Sequence, residues 1–193
     1  MVFGNPGTMI GMHPRKGNVY VALYYRNSRA PPDSYHWAIL VESKSSLSGS
    51  SEILQYHIKN TIQPGISGQP WVFEESKLQD SNTRFRLLTR VLVGRVKKLG
   101  DASACLRSVP LIQGDPGWTC RVWVRDALAK LDADTIFDPE RRINDWDAIE
   151  KECRRYVAEK KAAGRWEMSK PGVASNLNDT PTYDMLQGRE TTP

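Results

Sequence analysis

Four runs of β-branched and aromatic residues constrain the fold of this chain more than any other feature. They fall at residues 18–25 (NVYVALYY), 36–42 (HWAILVE), 52–60 (EILQYHIKN) and 84–96 (RFRLLTRVLVGRV). Runs of this kind, bounded by segments rich in Gly, Pro and Ser, are typical of β-strands. A Ser-rich loop at residues 43–51 separates the second run from the third. We therefore expect these two runs to form neighbouring strands.

Weaker signals complete the predicted architecture. Residues 71–74 predict a short strand, and Gly94 marks a bulge or the end of strand pairing. Helices are predicted over residues 101–108, with Asp101 as the N-terminal cap, from Cys120, and from near Asp145. The sequence thus predicts an α+β fold in which a mostly antiparallel sheet is flanked by helices.

The length of 193 residues fits one domain with a hydrophobic core. We expect a loose N-terminal segment at 1–17, a single domain of catalytic type at 18–168 and a disordered, polar tail at 169–193.

A net charge of +5 permits an anionic partner without requiring one. The sequence shows neither a signal peptide nor an apolar stretch long enough to span a membrane, which predicts a cytoplasmic location.

Cys120 is the leading candidate nucleophile. A turn at Gly114, Pro116 and Gly117 precedes it, and the residues after it follow the i, i+3, i+4, i+7 spacing of a helix, with apolar side chains at Val124, Ala127, Leu128 and Leu131. A thiol in the first turn of a helix lies near unpaired N–H groups and the positive end of the helix dipole, which favour the thiolate. The other cysteines, Cys105 and Cys153, fall on apolar helix faces, where we expect them to pack in the core.

A thiolate nucleophile needs a base, which is usually histidine. The chain has three histidines, and His13 lies in the loose N-terminal segment. His36 and His57 lie on the two strands expected to pair, so one could act as the base and the other could orient it. Gln113, seven residues before Cys120, could join a backbone N–H in an oxyanion hole. The three cysteines match no metal-ligand spacing, and we expect neither a metal nor a cofactor.

The run Tyr35-His36-Trp37-Ala38-Ile39-Leu40-Val41 resembles the histidine strand of the circularly permuted papain-like cysteine enzymes, the lecithin–retinol acyltransferase-like group. In that group an HWA-type motif begins a strand, a second histidine follows on the next strand, and the nucleophilic cysteine comes later at the start of a helix. The resemblance implies a permuted papain-like fold, with His36, His57 and Cys120 at the matching positions. The chain also resembles a group of fungal proteins without an assigned activity.

The chain departs from this group at three points. Its loop between the two histidine strands is longer and rich in Ser, and Thr119 replaces the Asn that commonly precedes the family cysteine. It also has no terminal apolar membrane anchor, a feature often found in membrane-active members of the group. The absence of such an anchor argues against a lipid substrate.

Basic residues recur along the fourth run. Arg84, Arg86 and Arg90 share one strand parity, so they could form a positive stripe on one sheet face. The stripe is either a solvated face or a site for an anionic partner such as RNA.

These features support three hypotheses about function. The first is a cysteine-dependent acyl-transfer enzyme, a hydrolase or acyltransferase, acting on the amide, ester or thioester carbonyl of a small-molecule or peptide substrate. The second is aminoacyl transfer from charged tRNA, as in a cyclodipeptide synthase, which would use both the thiol and the basic face. The third is a papain-like binding module in which Cys120 is structural. The substrate, the acyl acceptor, the histidine that contacts the thiol and the oligomeric state remain open.

Overall fold

A computed structural model of the chain describes most of its length. The described residues are 16–26, 29–31, 33–44, 51–60, 65, 68–80, 86–166 and 179–193. The strands are β1 (Gly17–Tyr25), β2 (Tyr35–Lys44), β3 (Ser51–Asn60), β4 (Trp71–Lys77), β5 (Leu87–Val96), β6 (Phe137–Arg142), β7 (Thr182–Asp184) and β8 (Arg189–Thr192). The helices are α1 (Leu99–Arg107), α2 (Cys120–Ala133) and α3 (Trp146–Ala162).

All eight strands belong to one sheet, which makes the fold mixed α+β as predicted. Seven of them run in the order β4-β3-β2-β1-β5-β7-β8, and β6 also pairs with β5. Neighbouring strands are antiparallel except β5 and β7, which are parallel. The two histidine strands, β2 and β3, are antiparallel neighbours, as their sequences predicted.

Two apolar clusters lie on opposite faces of the sheet. The helix-side cluster joins the three helices to side chains such as Leu23, Trp37 and Tyr56. The far-side cluster is formed by Tyr20, Ala22, Tyr24, Ala38, Leu40, Ile53, Leu78, Leu87 and Leu92. Successive side chains of a strand point to opposite faces, so the alternation between the clusters along β1 and β2 follows directly from strand geometry.

Gly94 lies at an irregularity in β5, as the sequence suggested. The register with β1 shifts between Val19↔Gly94 and Tyr20↔Leu92, so that one extra residue of β5 is accommodated there. The residue is also sterically constrained, because a Cβ at this position would lie 2.6 Å from a ring carbon of Phe137. Gly94 therefore allows β6 to pack closely against the bulged strand.

Helix α2 begins at Cys120 and α3 begins next to Asp145, as the sequence predicted, whereas α1 begins at Leu99, two residues before its predicted start. The side chain of Asp145 accepts the N–H of Ala148 and caps α3. The predicted cap of α1 was wrong, because the residue before this helix is Lys98 and no side chain bonds its first N–H groups. Asp101 instead lies in the first turn, near enough to Lys98 for a salt bridge at 3.9 Å.

The prediction of a disordered tail at 169–193 was wrong for its second half. Residues 179–193 are described, and they include β7 and β8, which form a hairpin beside β5. The Tyr156 hydroxyl on α3 donates to the Glu190 carboxylate at 2.5 Å, tying this hairpin to the helical layer. Polar composition concealed the hairpin, because short edge strands need few apolar residues. Most of residues 1–17, which were predicted to be loose, lies outside the described residues.

Candidate active site

The two candidate histidines are in direct contact. His36 Nε2 and His57 Nδ1 lie 2.8 Å apart, within hydrogen-bonding distance. The His57 ring also reaches β4, where its Nε2 lies 3.3 Å from a Glu74 carboxylate oxygen. His57 and Glu74 are directly opposite in the β3–β4 register, which explains why their side chains meet. The Glu74 carboxylate also forms an ion pair with Lys59.

The His36–His57 bond crosses an opening in the sheet. Strands β2 and β3 pair from Lys44↔Ser51 as far as Ile39↔Tyr56, so the first four residues of β2 have no partner in β3. On its other edge β2 continues to pair with β1, and Tyr24 lies opposite His36. The two imidazoles thus bridge a gap that backbone hydrogen bonds do not close.

The thiol of Cys120 lies at the same opening. It accepts a hydrogen bond from the backbone N–H of Trp37, the residue that follows His36 on β2. Because the N–H groups of a strand point along the plane of the sheet, a sulfur atom bonded to one lies near that plane. The N–H groups of Cys120 and Arg121, in the first turn of α2, also point toward the sulfur.

The thiol and the imidazoles approach the opening from different sides. Cys120 and Trp37 belong to the helix-side cluster. The His36 ring instead contacts Tyr24, with ring centroids 6.1 Å apart, on the side of the far-side cluster. Within the described part of the chain, no hydrogen bond joins the Cys120 thiol to either imidazole. Catalytic hydrogen bonds are often long in unliganded enzymes and shorten when substrate binds.

The ionisation of the thiol differs from the sequence prediction. Burial raises the pKa of Cys120, and its side chain is 3% exposed. The N–H of Trp37, the charge of Arg26 and the N–H groups of the first helical turn favour the thiolate, but they do not offset burial. The helix N-terminus thus acts in the expected direction, but desolvation is the larger effect and the pKa of the thiol is raised rather than lowered.

Both imidazoles are held in the neutral form. Burial, followed by the charges of His57 and Arg26, lowers the pKa of His36 to about 3. Burial also lowers the pKa of His57, although the hydrogen bond and the negative charge of Glu74 act in the opposite direction. A neutral imidazole has one nitrogen free to accept a proton, which is what a general base requires.

Gln113 does not offer its amide to an oxyanion in this structure. Its oxygen accepts the N–H of Trp71 at 2.8 Å, and its nitrogen donates to the carbonyl of the same residue at 3.0 Å. The amide thus pairs with the first residue of β4 as a neighbouring strand would. The backbone N–H groups in the first turn of α2 are the remaining oxyanion donors of the sequence hypothesis.

The three arginines do not form one open stripe among the described residues. Arg84 lies outside the described part of the chain. Arg86 is exposed and donates to the carbonyl of Arg26 at 3.4 Å. Arg90 donates to the hydroxyl of Thr182 at 2.8 Å and lies over the ring of Tyr20. The side chain of Arg90 thus fastens β7 to the sheet.

Two residues near the opening were not predicted from sequence. Glu74 lies in the short strand predicted at 71–74, but nothing in the sequence showed that it faces His57. Arg26 lies directly after β1, close enough for its charge to affect both Cys120 and His36. Only the register between β3 and β4 could show that Glu74 faces His57. The sequence of the loop that connects β1 to β2 gave no signal for Arg26.

The described residues contain no group of three or more His, Cys, Asp and Glu side chains that could hold a metal ion. No helix within the described ranges is both long enough and apolar enough to cross a membrane.

The other two cysteines pack in the core, as predicted. Burial raises the pKa of Cys105 to about 11, and Cys153 is fully buried. Both residues pack in the helix-side cluster.

Comparison with known proteins gives one match. A protein-family model matches residues 16–192, from the start of β1 through the C-terminal hairpin. The chain belongs to this family, DUF6914, a family of unknown function. The match to DUF6914 covers the opening between β2 and β3, and it also includes β7 and β8. No curated protein and no solved structure matches the chain.

Proposed function

We propose that the protein is a cysteine-dependent acyl-transfer enzyme with a permuted papain-like arrangement, in which Cys120 is the nucleophile and His36 is the base. The observation that carries the proposal is the position of the thiol at the opening bridged by the two imidazoles. His36 is bonded to His57 at 2.8 Å, and the Cys120 thiol is bonded to the N–H next to His36. In this proposal α2 supplies the nucleophile, β2 the base and β3 the orienting group.

The raised pKa of Cys120 and the lowered pKa of His36 define the resting state as a neutral thiol and a neutral imidazole. Substrate binding brings the thiol into hydrogen-bonding distance of His36. The imidazole then removes the thiol proton as the sulfur attacks the carbonyl carbon of an amide, ester or thioester. His57 accepts a hydrogen bond from His36 and stabilises the imidazolium that forms.

The attack produces a tetrahedral oxyanion. The N–H groups in the first turn of α2, which already point toward the sulfur, are placed to stabilise this charge. The intermediate collapses when His36 returns its proton to the leaving amine, alcohol or thiol, which leaves a thioester on Cys120. A water molecule or an acceptor nucleophile, deprotonated by His36, attacks the thioester, the acyl product leaves, and His36 returns the proton to the sulfur, which restores the free thiol.

The test measures alkylation and acylation of Cys120 in the full chain. With iodoacetamide near neutral pH, we expect Cys120 to react faster than Cys105 and Cys153. His36→Asn should lower the Cys120 rate by about 100-fold, the lower range for loss of a general base. Tyr24→Phe is the matched control, because the Tyr24 ring lies against His36 and its hydroxyl has no hydrogen-bond partner among the described residues.

Incubation with a panel of chromogenic thioesters, esters and amides should leave an acyl group on Cys120, detected by mass spectrometry. Cys120→Ala should abolish this adduct and turnover together. Turnover by folded Cys120→Ala, or equal alkylation of all three thiols in the native protein, would contradict the proposal.

A non-catalytic binding module is the second candidate, and burial of the thiol favours it. Cys120 is 3% exposed, and its pKa is raised rather than lowered. In this case Cys120 should alkylate only when the protein unfolds, and its rate should not change in His36→Asn.

A further inference from the structure

Glu74 lies next to His57, on the side of this ring that faces away from His36. Its carboxylate differs from the two imidazoles in its hydrogen-bonding capacity. An ionised carboxylate can only accept hydrogen bonds, whereas each imidazole can donate or accept. Burial alone would raise the pKa of Glu74, but the hydrogen bonds from Lys59 and His57 outweigh it and lower the pKa. Glu74 is therefore ionised at neutral pH.

This difference fixes the direction of the whole chain of hydrogen bonds. Because Glu74 accepts, Nε2 of His57 carries the proton. His57 is neutral, so its Nδ1 has a lone pair, and the bond at 2.8 Å requires His36 to donate from Nε2. His36 is neutral as well, which leaves its Nδ1 without a proton. Among the described residues, none forms a hydrogen bond with this nitrogen.

We propose that Glu74 is a positioning residue that sets the tautomers of His57 and His36, so that Nδ1 of His36 is the nitrogen that takes the proton of the nucleophile. The role of this nitrogen toward Cys120 rests on the proposed function. The tautomers themselves follow from the hydrogen-bond chain alone and can be measured without any substrate.

The register of the sheet makes this role specific to Glu74. The neighbouring carboxylate, Glu75, points to the other face of β4 and forms a bidentate pair with Arg107 at 2.6 and 2.8 Å. Lys59, at the diagonal position on β3, forms an ion pair with Glu74 and helps to keep the carboxylate ionised. Glu75 therefore provides the matched control.

The experiment records long-range ¹H–¹⁵N correlations of the imidazole rings in the uniformly ¹⁵N-labelled full chain near neutral pH. His36→Asn and His57→Asn assign the signals. We expect both rings to show protonated Nε2 and unprotonated Nδ1. Wild-type protein with the proton on Nδ1 of either ring would overturn the proposal.

Glu74→Gln keeps the size of the side chain but supplies an amide that can also donate. We expect this variant to lose the single tautomer of His57 and, through it, that of His36. Glu75→Gln removes a carboxylate of the same strand and should leave both tautomers unchanged. A folded Glu74→Gln protein with the wild-type tautomers would overturn the proposal. If Glu74→Gln does not fold, the wild-type tautomers still decide it.

Alkylation separates this inference from the proposed function. Glu74→Gln should lower the iodoacetamide rate of Cys120 by about 10-fold or more, since the base loses its oriented lone pair. Glu75→Gln should change the rate by less than about 2-fold. If wild-type Cys120 is unreactive but the tautomers are as expected, the proposed function fails and the positioning role of Glu74 stands. If Cys120 is reactive but the tautomers differ from those expected, the positioning role of Glu74 fails and the proposed function stands.

Discussion

His36 and His57 are joined by a hydrogen bond of 2.8 Å at the point where their strands no longer pair. Along most of β2 and β3 backbone hydrogen bonds join the two strands, but beyond Ile39 the hydrogen bond between the two imidazoles joins them instead. This arrangement leaves the edge of β2 open, and the N-terminus of α2 occupies the opening with its thiol. A site that combines a sulfur atom with an imidazole pair thus arises from local separation of two neighbouring strands.

The lowered pKa of His36 predicts acid sensitivity of the fold. In the unfolded chain this histidine titrates near its ordinary value of about 6.5, whereas in the folded protein its pKa is about 3. Between these values the unfolded chain binds more protons, so the free energy of unfolding falls as the pH falls. Each unit of pKa difference is worth about 1.4 kcal/mol, so we expect a loss of a few kcal/mol.

Urea unfolding measured at several pH values between about 7 and 4 tests this expectation. Because carboxylates also titrate toward the acid end, the informative quantity is the difference between wild type and His36→Gln. The variant should lose less stability on acidification. Parallel curves for the two proteins would show that His36 does not carry the effect.

Gln113→Ala should affect stability rather than chemistry. The Gln113 amide makes two hydrogen bonds with the main chain of Trp71, and loss of both should lower the free energy of unfolding by about 1–2 kcal/mol. The alkylation rate of Cys120 should change by less than about 2-fold. A decrease in acyl transfer comparable with that of His36→Asn would instead restore the oxyanion role suggested by sequence.

Gly94→Ala should destabilise the protein. The added Cβ would meet a Phe137 ring carbon at 2.6 Å, and the ring is 4% exposed and has little room to move. Overpacking of this kind typically costs about 1–3 kcal/mol. Gly100→Ala in α1 is the control, because a Cβ there meets nothing within 4 Å. The control should leave stability unchanged or raise it by up to about 1 kcal/mol, measured by thermal or urea unfolding. Equal effects at the two positions would contradict the steric explanation.

At the ends of α2 and α3, introducing a glycine should stabilise the protein and removing one should destabilise it. Both helices end in the same pattern of backbone hydrogen bonds, with a residue of positive φ that is Thr135 after α2 and Gly164 after α3. A β-branched residue is strained in this conformation. Thr135→Gly should therefore raise the free energy of unfolding by about 1 kcal/mol, and Gly164→Ala should lower it by a similar amount. A loss of stability in Thr135→Gly would indicate a contact that outweighs the strain.

The hydrophobic pattern predicted much of the fold, because strand and helix periodicities are local properties. The four β-branched runs form β1, β2, β3 and β5, and the helix at Cys120 begins at the predicted residue. The same local logic missed β6, whose residues include Pro139 and mostly charged side chains, and the C-terminal hairpin. Strands β6 and β7 are short, and each pairs with β5, which is distant in sequence.

For the candidate site, the sequence by itself determined the residue types and their elements: a cysteine at a helix N-terminus and two histidines on neighbouring strands. Tertiary structure decided that the imidazoles bond to each other, that Glu74 joins them, and that Gln113 pairs with Trp71 instead. It also decided the ionisation of the thiol. The helix N-terminus is a local effect that favours the thiolate, but burial arises only when α2 packs on the sheet, and desolvation is then the larger effect.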